Sequence, residues 1–447
     1  MAMTPEQDFV MKTIKSRDVH FVRFWFTDVL GNMKSFAVSP SEIANAFSDG
    51  MGFDASCIAG YSPTQESDML AFPDPSTFQV LPWRPESNAV ARMFCEIKRP
   101  DGTAFEGDPR SVLRRMVTKA ADMGYIFNVG PELEYYYFKD SSGTEVLDHG
   151  GYFDLTSLDS ASDLRRDTVL SLENMSIPIE YSHHENGPSQ HEIDLRYTDA
   201  FTMADAVMTY KLVVKEIAVK HGVYASFMPK PMADAPGNGM HVHQSLSDLD
   251  GNNLFFDPSD PLGYNLTPLA KKFIAGILKY TPELCLVTNQ YVNSYKRLAS
   301  GSEAPAFISW GKNNRSALVR IPGYRPTREE ACRIEMRLPD PAANPYLVFS
   351  VILAAGLAGL EEDLLLPPSI DDLNLFEHSD ACLIGRGFSK LPEDLGQAIT
   401  LFENSELMKE TLGEHIHSYL VSEKKAEWAS YLGTVSQWEL ERYLAVL

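Results

Sequence analysis

Glu132 and Glu134 stand two residues apart in Gly130-Pro131-Glu132-Leu133-Glu134-Tyr135, a stretch whose aromatic and β-branched surroundings read as a strand. Alternation puts both carboxylates on one face and Leu133 and Tyr135 on the other. The same spacing recurs at His241 and His243, after the Gly237-Asn238-Gly239 turn, and at Arg333, Glu335 and Arg337 in Arg-Ile-Glu-Met-Arg. Charges bounded by apolar residues are costly to bury unless they pair or bind metal, so convergence of the three strands on one cavity is the economical explanation. His183-His184-Glu185 with Gln190-His191-Glu192 reads as a loop that adds two more carboxylates. An acid-rich set with few histidines suits Mg²⁺ or Mn²⁺ better than structural zinc. Any one of these pairs alone reads as a solvated strand face. Arg297, Arg315, Arg320 and Arg333 offer forked donors to phosphates or carboxylates, although each alone reads as a surface ion pair.

The elements that must position these groups are legible in outline. His20 to Asp28 and Lys34 to Val38, joined by Leu30-Gly31-Asn32, read as a hairpin. Ser39, Pro40 and Glu42 read as N-cap, first-turn proline and capping-box acid of a helix that Gly50 ends. Arg99-Pro100-Asp101-Gly102 is a loop, and the boundary of a small N-terminal α+β domain falls near Asp108, dividing residues 1–107 from 108–447. Asp108 and Pro109 then open a helix striped by Val112, Leu113, Met116, Val117 and Ala120 and closed by Gly124. A strand over Tyr125 to Phe138 follows, with helices at Ala204 to Lys220, Leu266 to Tyr280 and Asn344 to Leu360.

With 447 residues, of which 44% are hydrophobic, the chain can bury more than one core. Its formal charge of −22 repels a phosphate backbone and disfavours nucleic-acid and anionic-membrane partners, so a bound nucleotide must be small and neutralised locally. Five scattered cysteines, with no C-x-x-C pair, are expected to be reduced thiols in a cytoplasmic setting. The most apolar run, Leu347 to Leu360, is too short to span a bilayer and reads as a buried helix.

From the hairpin to the last helix the chain resembles type I glutamine synthetase. The matching stretches are Gly-Pro-Glu-Leu-Glu-Tyr at 130–135, His-His-Glu through Gln-His-Glu at 183–192, Met-Pro-Lys-Pro-Met and Gly-Met-His-Val-His within 228–243, Asn-Ser-Tyr-Lys-Arg-Leu at 293–298, Glu-Ala-Pro at 303–305, Asn-Arg-Ser-Ala at 314–317 and Arg-Ile-Glu-Met-Arg at 333–337. The resemblance implies an α+β protein with a small N-terminal β-grasp domain and a large catalytic domain built on a curved antiparallel sheet. It also implies a dodecamer of two stacked hexamers, with active sites between neighbouring subunits.

Carried across, one metal is held by Glu134, Glu185 and Glu192 and another by Glu132, His241 and Glu335, with two or three Mg²⁺ or Mn²⁺ ions per site. ATP lies against Glu180, His243, Ser245, Arg315, Arg320 and Arg333. Glutamate is held by Arg297, Arg337 and the Gly237 backbone. The amine lies among Asp54, Cys57, Tyr152 and Glu185. The implied catalytic residues are Asp54, which deprotonates the amine, Glu303 on a water-excluding flap, and Arg315. The implied reaction joins ammonia to glutamate through γ-glutamyl phosphate.

The departures fall in the substrate loops. Asp54-Ala55-Ser56-Cys57 replaces the family's Asp-Gly-Ser-Ser, Pro236 replaces an asparagine, and Asn186-Gly187-Pro188-Ser189 replaces Val-Ala-Pro-Gly. Leu412-Gly413-Glu414-His415 and the surroundings of Trp428 are similar to actinobacterial γ-glutamylpolyamine synthetase-like paralogues, which keeps a polyamine or other amine as an alternative acceptor. Phe376 stands where many bacterial members carry an adenylylated tyrosine, so that switch is expected to be absent. A phosphagen-type kinase shares the fold but does not explain Asp54 and Glu303. A non-catalytic scaffold predicts eroded metal ligands, and all six are present. The tail from Trp438 to Leu447 matches the segment that the family inserts into the opposite ring, the alternative being docking on its own subunit.

Overall fold

The computed structural model describes residues 3–61, 67–299, 303–325 and 327–447. The first layer comprises α1 (Pro5–Ser16), β1 (Val19–Thr27), β2 (Met33–Val38), α2 (Ile43–Asp49), β3 (Met51–Asp54), β4 (Asp68–Pro73), β5 (Gln79–Val80) and β6 (Ala89–Lys98). Its sheet runs β2-β1-β6-β4-β3, with β5 also on β6, and its centre is the parallel pair β1–β6. This is the expected β-grasp arrangement, and its core gathers Val22, Phe24, Phe26, Ile43, Met69, Met93 and Ile97. The hairpin forms as expected. The helix expected from Ser39 does not start there: Pro40–Glu42 is a 3₁₀ turn, and the Ser39 side chain caps no backbone N–H. Its hydroxyl lies 3.1 Å from Ser41 Oγ instead, so the first turn tightens and the α-helix begins at Ile43. Gly50, at φ +71°, ends it as expected.

The second layer begins with α3 (Pro109–Asp122) and continues through β7 (Ile126–Phe138), α4 (Ser162–Asn174), β8 (Ile179–His184), β9 (Gln190–Leu195), β10 (Thr198–Asp199), α5 (Ala200–Lys220), β11 (Tyr224–Ser226) and β12 (Met240–Ser247). Next come α6 (Pro268–Thr288), α7 (Val292–Arg297), β13 (Trp310–Lys312), β14 (Val319–Ile321), β15 (Ile334–Met336) and α8 (Pro345–Glu361). The chain ends with α9 (Asp380–Gly385), α10 (Leu395–Glu403), α11 (Glu406–Leu412), α12 (Glu414–Leu432) and α13 (Gln437–Tyr443). The large sheet runs β13-β14-β15-β12-β7-β9-β8, with β10 and β11 on the ends of β7. The long strand β7 is therefore the spine on which both halves of the sheet register.

One face of that sheet packs on helices. Val129, Leu133, Tyr135, Ile193, Val242 and Met336 join residues of α5, α6 and α8 in one core. Every residue from Pro345 to Gly359 of α8 is buried, as its unbroken apolar run requires. Gly276 and Gly359 let α6 and α8 approach closely: a Cβ on either would fall 2.1–2.2 Å from a carbonyl oxygen of the opposite helix. The helix α6 runs eight residues past its expected end, through Pro282, because its buried stripe continues to Thr288. Asp108 caps α3 by accepting from Arg110 N at 3.1 Å. The Arg110 side chain donates to Asp205 of α5 and to Asp74 after β4, each at 2.8 Å, tying the two layers together. Among the described residues no helix is long and apolar enough to cross a membrane.

Candidate active site

The registers of the sheet place the chemistry-bearing residues side by side. Glu132 opposes His241 on β12 and Asp194 on β9; Glu134 opposes Glu192. His243 opposes Glu335 of β15, which opposes Arg320 of β14. The 183–192 stretch, expected as a loop, is a β-hairpin: His183 of β8 pairs with Glu192 of β9 across a short turn. Its two faces diverge. Glu185 and Glu192 lie on the face of His183, whereas His184 and His191 are fully buried on the other. There His184 Nε2 lies 3.0 Å from Asp148, and His191 Nδ1 lies 2.8 Å from Arg165, itself paired with Asp159.

One half of the site carries its own counter-charges. Glu132 Oε1 lies 2.6 Å from His243 Nε2, and its Oε2 lies 3.4 Å from His241 Nδ1. Burial works to raise the Glu132 carboxyl, but His243 and His241 outweigh it and hold it well below the usual range. Glu335 accepts from Arg320 and Arg337, each at 2.6 Å. Burial is again outweighed, by Arg337 and the two histidines, and its carboxyl is held down at about 2. Arg333 Nε donates to His243 Nδ1 at 3.1 Å. Burial, and then Arg337, push His241 down to about 4, leaving a neutral imidazole.

The other half has a surplus of acid. Glu134 Oε2 accepts from Gly239 N at 2.7 Å, and Gln190 Nε2 lies 3.3 Å away. Burial and the neighbouring Glu185 push its carboxyl up to about 8. Burial also raises Glu185 and, together with Glu134 and Glu132, raises Glu192 well above the usual range. His183, 3.3 Å from Glu192, is the cation-forming side chain closest to this pair. Asp194 is buried beside Glu192 and Tyr181, and burial with Glu192 pushes it up to about 10. Buried carboxylates so short of counter-charge are a donor set for hard divalent ions. Glu185 and Glu192 cluster tightly with His183, and Glu132 and Glu335 with His243. Glu134 and His241 belong to neither grouping; both line the same small cavity.

Two cavities open on this carboxylate row. A small one, of about 50 Å³, is lined by Glu134, Glu185, Gly237, Arg297, Glu303 and Arg337. Arg297 is fixed there by donating to the carbonyls of Leu338 at 2.7 Å and Arg337 at 3.1 Å. Asn186 Nδ2 lies 3.3 Å from Glu303. The second cavity, of about 520 Å³, is lined by Glu132, Glu180, Asp194, His243, Ser245 and Arg333, a size suited to a nucleotide. Arg320 is engaged with Glu335. Arg315 lies outside both linings, within reach of the Tyr152 hydroxyl, and the Tyr152 ring meets His183 edge-on at 5.4 Å.

Asp54 and Cys57 stand apart from this assembly. Both are exposed, and Asp54 Oδ1 accepts from Ser56 N at 2.9 Å. No hydrogen bond or ion pair among the described residues joins either one to the carboxylate row. Sequence reasoning missed Asp148, Asp159 and Arg165, which lie in loops and a helix and meet His184 and His191 only in the folded chain, and Asp194, whose two-residue spacing from Glu192 is hidden when that stretch reads as a loop.

The comparisons agree with this geometry. The description "Glutamine synthetase, beta-Grasp domain" matches residues 18–100, and "Glutamine synthetase, catalytic domain" matches residues 106–443. The chain is 49% identical to a glutamine synthetase of Mycolicibacterium smegmatis, over 99% of this chain and 100% of that one. It is 48% identical to a glutamine synthetase of Methanosarcina mazei, over 99% and 98%. A solved GmaS/ADP complex superposes with a TM-score of 0.87 at 30% identity, over 97% of this chain and 99% of that one. With both domains matched and full-length relatives at this identity, the chain belongs to the glutamine synthetase family.

Proposed function

We propose that this chain, with residues 1–107 and 108–447 as its two domains, uses ATP to join ammonia to the γ-carboxyl of glutamate. The observation that carries this reading is the row of acids and histidines on β7, β9, β12 and β15 with two cavities opening on it, one small and arginine-lined, the other nucleotide-sized. Arg297, Arg337 and the Gly237 backbone hold glutamate with its side-chain carboxyl towards Glu134. Arg333, Ser245 and Glu180 hold the nucleotide, and Arg320 and Arg315 complete the phosphate site. Glu134, Glu185 and Glu192 hold one Mg²⁺ or Mn²⁺, and Glu132, His241 and Glu335 another; bound divalent ions neutralise the phosphates during transfer.

A carboxylate is a poor electrophile until phosphorylation turns one of its oxygens into a leaving group. The protein's part is to align the γ-carboxyl with the terminal phosphate and to keep water from the acyl phosphate, the task of Glu303 beside Asn186. Asp54 removes the proton that ammonium must lose before attack. Tyr152, Cys57 and Glu185 complete the amine pocket. Since Asp54 and Cys57 do not reach the row of their own subunit, a neighbouring copy supplies them, which fits a ring assembly and a dodecamer.

The motif resembling the polyamine paralogues is taken up by packing: His415 Nε2 lies 2.7 Å from Gly60 O, and Trp428 lies against Gly396. Ammonia is therefore the first acceptor to test. Purified protein with Mg²⁺, ATP and glutamate is expected to release phosphate only when ammonia is added, with glutamine identified by mass. Phosphate release with methylamine or putrescine and none with ammonia would redirect the assignment to another amine. No γ-glutamyl product with any of the three would overturn the ligase reading.

A further inference from the structure

In a chain with 61 acidic and 39 basic residues, three lysines gather at one cavity whose lining holds a single acid, Glu427, itself paired with Lys424. Lys211, Lys215 and Lys296 line a space of about 790 Å³ beside α7. Lys211 and Lys215 are one turn apart on α5, and their ammonium groups lie 5.9 and 5.8 Å from the centroid of the same Phe227 ring. Lys296 lies 5.6 Å from the Tyr431 ring. None of the three ammonium groups makes a hydrogen bond or ion pair among the described residues.

The nearby acids are engaged elsewhere. Asp340 accepts from Asn289 and from Ala342 N, both at 3.1 Å. Glu427 pairs with Lys424 at 2.8 Å and accepts from Val292 N. Glu216 pairs with Arg84. Burial, and then Lys215, push Lys211 down to about 7. Like charges one helical turn apart repel, and an anion between them relieves both the repulsion and the desolvation.

We propose that this cavity is a second ligand site, for a small multivalent anion of the phosphate or polycarboxylate class, and that its occupancy is transmitted to the glutamate cavity. The walls are shared. Lys296 lines the lysine cavity and the next residue, Arg297, lines the other. Met228 and Pro229 also line it, and their carbonyls accept from Asn238 Nδ2 and Asn238 N, each at 2.8 Å, one residue from Gly237. An occupant that moves Lys296 or the 228–229 backbone therefore moves groups that face glutamate. The transmitted half rests on the glutamate reading above; the binding half does not.

Calorimetry on the whole assembled protein, free of metal and nucleotide, tests the binding half with two probes, inorganic sulfate and succinate. At least one is expected to bind, and K211Q and K215Q are each expected to weaken it about tenfold, the worth of one charge-assisted contact. K215Q, at an exposed position, serves if K211Q fails to fold. No binding of either probe, or equal affinity in wild type and variants, overturns the site. In turnover assays a saturating probe is expected to shift the glutamate KM at least about twofold in wild type, and not in K211Q/K215Q. Binding without that shift overturns the coupling alone. A retained binding signal in a protein that makes no γ-glutamyl product leaves the site standing and removes only the ligase reading.

Discussion

Glu134 and Glu192 face each other directly across the β7–β9 ladder, so two buried carboxylates occupy a position where like charges destabilise a sheet. Neither has an ion pair to an arginine or lysine among the described residues; Glu134 is held by a backbone N–H and lies beside an amide, and Glu192 lies beside His183 and Asp194. Glu134→Gln is therefore expected to stabilise the metal-free protein by about 1 kcal/mol. It is also expected to lower turnover by about a hundredfold or more. Denaturant melts without metal, set beside initial rates with it, check both. A variant that keeps full activity contradicts the metal assignment.

The pH dependence of the metal-free protein follows from the same cluster. Glu134 is raised to about 8, so between the ordinary carboxylate range and pH 8 the folded state binds more protons than the unfolded one. Stability then falls as pH rises. His243, raised by Glu132 against the pull of burial, acts in the same direction as pH rises through its folded value. His241, lowered to about 4, acts oppositely, but only below the ordinary histidine range. Melting temperature is accordingly expected to fall from pH 6.5 to 8 in chelator. The slope should be shallower in Glu134→Gln by up to about 1.4 kcal/mol per pH unit. Mg²⁺ should stabilise more at pH 8 than at pH 6.5.

Asp54 gives a test of shared sites. It is exposed, with its carboxylate bonded by Ser56 and Ser67, so Asp54→Asn is expected to change stability by no more than about 0.5 kcal/mol while abolishing most turnover. If Asp54 serves a neighbour, dissociating and reassembling Asp54→Asn with Glu134→Gln creates some sites that lack neither group. Equal mixing is expected to restore about one quarter of wild-type activity. Persistent inactivity of the mixture would place both residues in the same subunit's site.

How much of this was legible in the sequence differs from residue to residue. The strand carrying Glu132 and Glu134 and the turn before His241 were readable because period-two alternation and Gly-Asn-Gly are local signals. The register that sets His241 against Glu132 was not, since pairing across 109 residues is decided by the packed faces of β7 and β12. The Ser39 capping pattern failed for a local reason: the hydroxyl lies beside Ser41 rather than the third backbone N–H. His184 and His191 adjoin Glu185 and Glu192 in the chain, but alternation along β8 and β9 sends them inward to Asp148 and Arg165. Asp194 stands two residues from Glu192, the same spacing as Glu132 and Glu134, but the 183–192 stretch reads as a loop in the sequence, so alternation is not applied to it there.

Cys57 is the departure that falls within the proposed amine pocket. It is an exposed thiol beside Ser56, 3.8 Å from its hydroxyl, where the family carries a second hydroxyl. A thiol is a weak hydrogen-bond partner for ammonium. Cys57→Ser is expected to lower the ammonia KM about threefold, a modest hydrogen-bond gain, with kcat and stability nearly unchanged. Kinetics over ammonia and methylamine read the effect; a lowered KM for methylamine alone would mean that the pocket is built around the larger amine.

The C-terminal helix α13 contributes no buried residue, and Trp438, Leu444, Val446 and Leu447 are all exposed, Leu447 fully so. Docking on its own subunit is thus not what these apolar groups do in the single chain. Such a contiguous apolar patch marks an interaction surface, and a second copy is the partner that the family resemblance supplies. Deleting residues 437–447 is expected to leave the subunit's far-ultraviolet dichroism and melting temperature almost unaltered, because no core contact is lost. On the proposed two-ring assembly, the particle should shrink, on light scattering, to a single ring. Activity per subunit is expected to stay within about twofold, since the residues assigned to each site come from within one ring. A truncated protein that still elutes at the full size would mean that the rings are joined by some other surface.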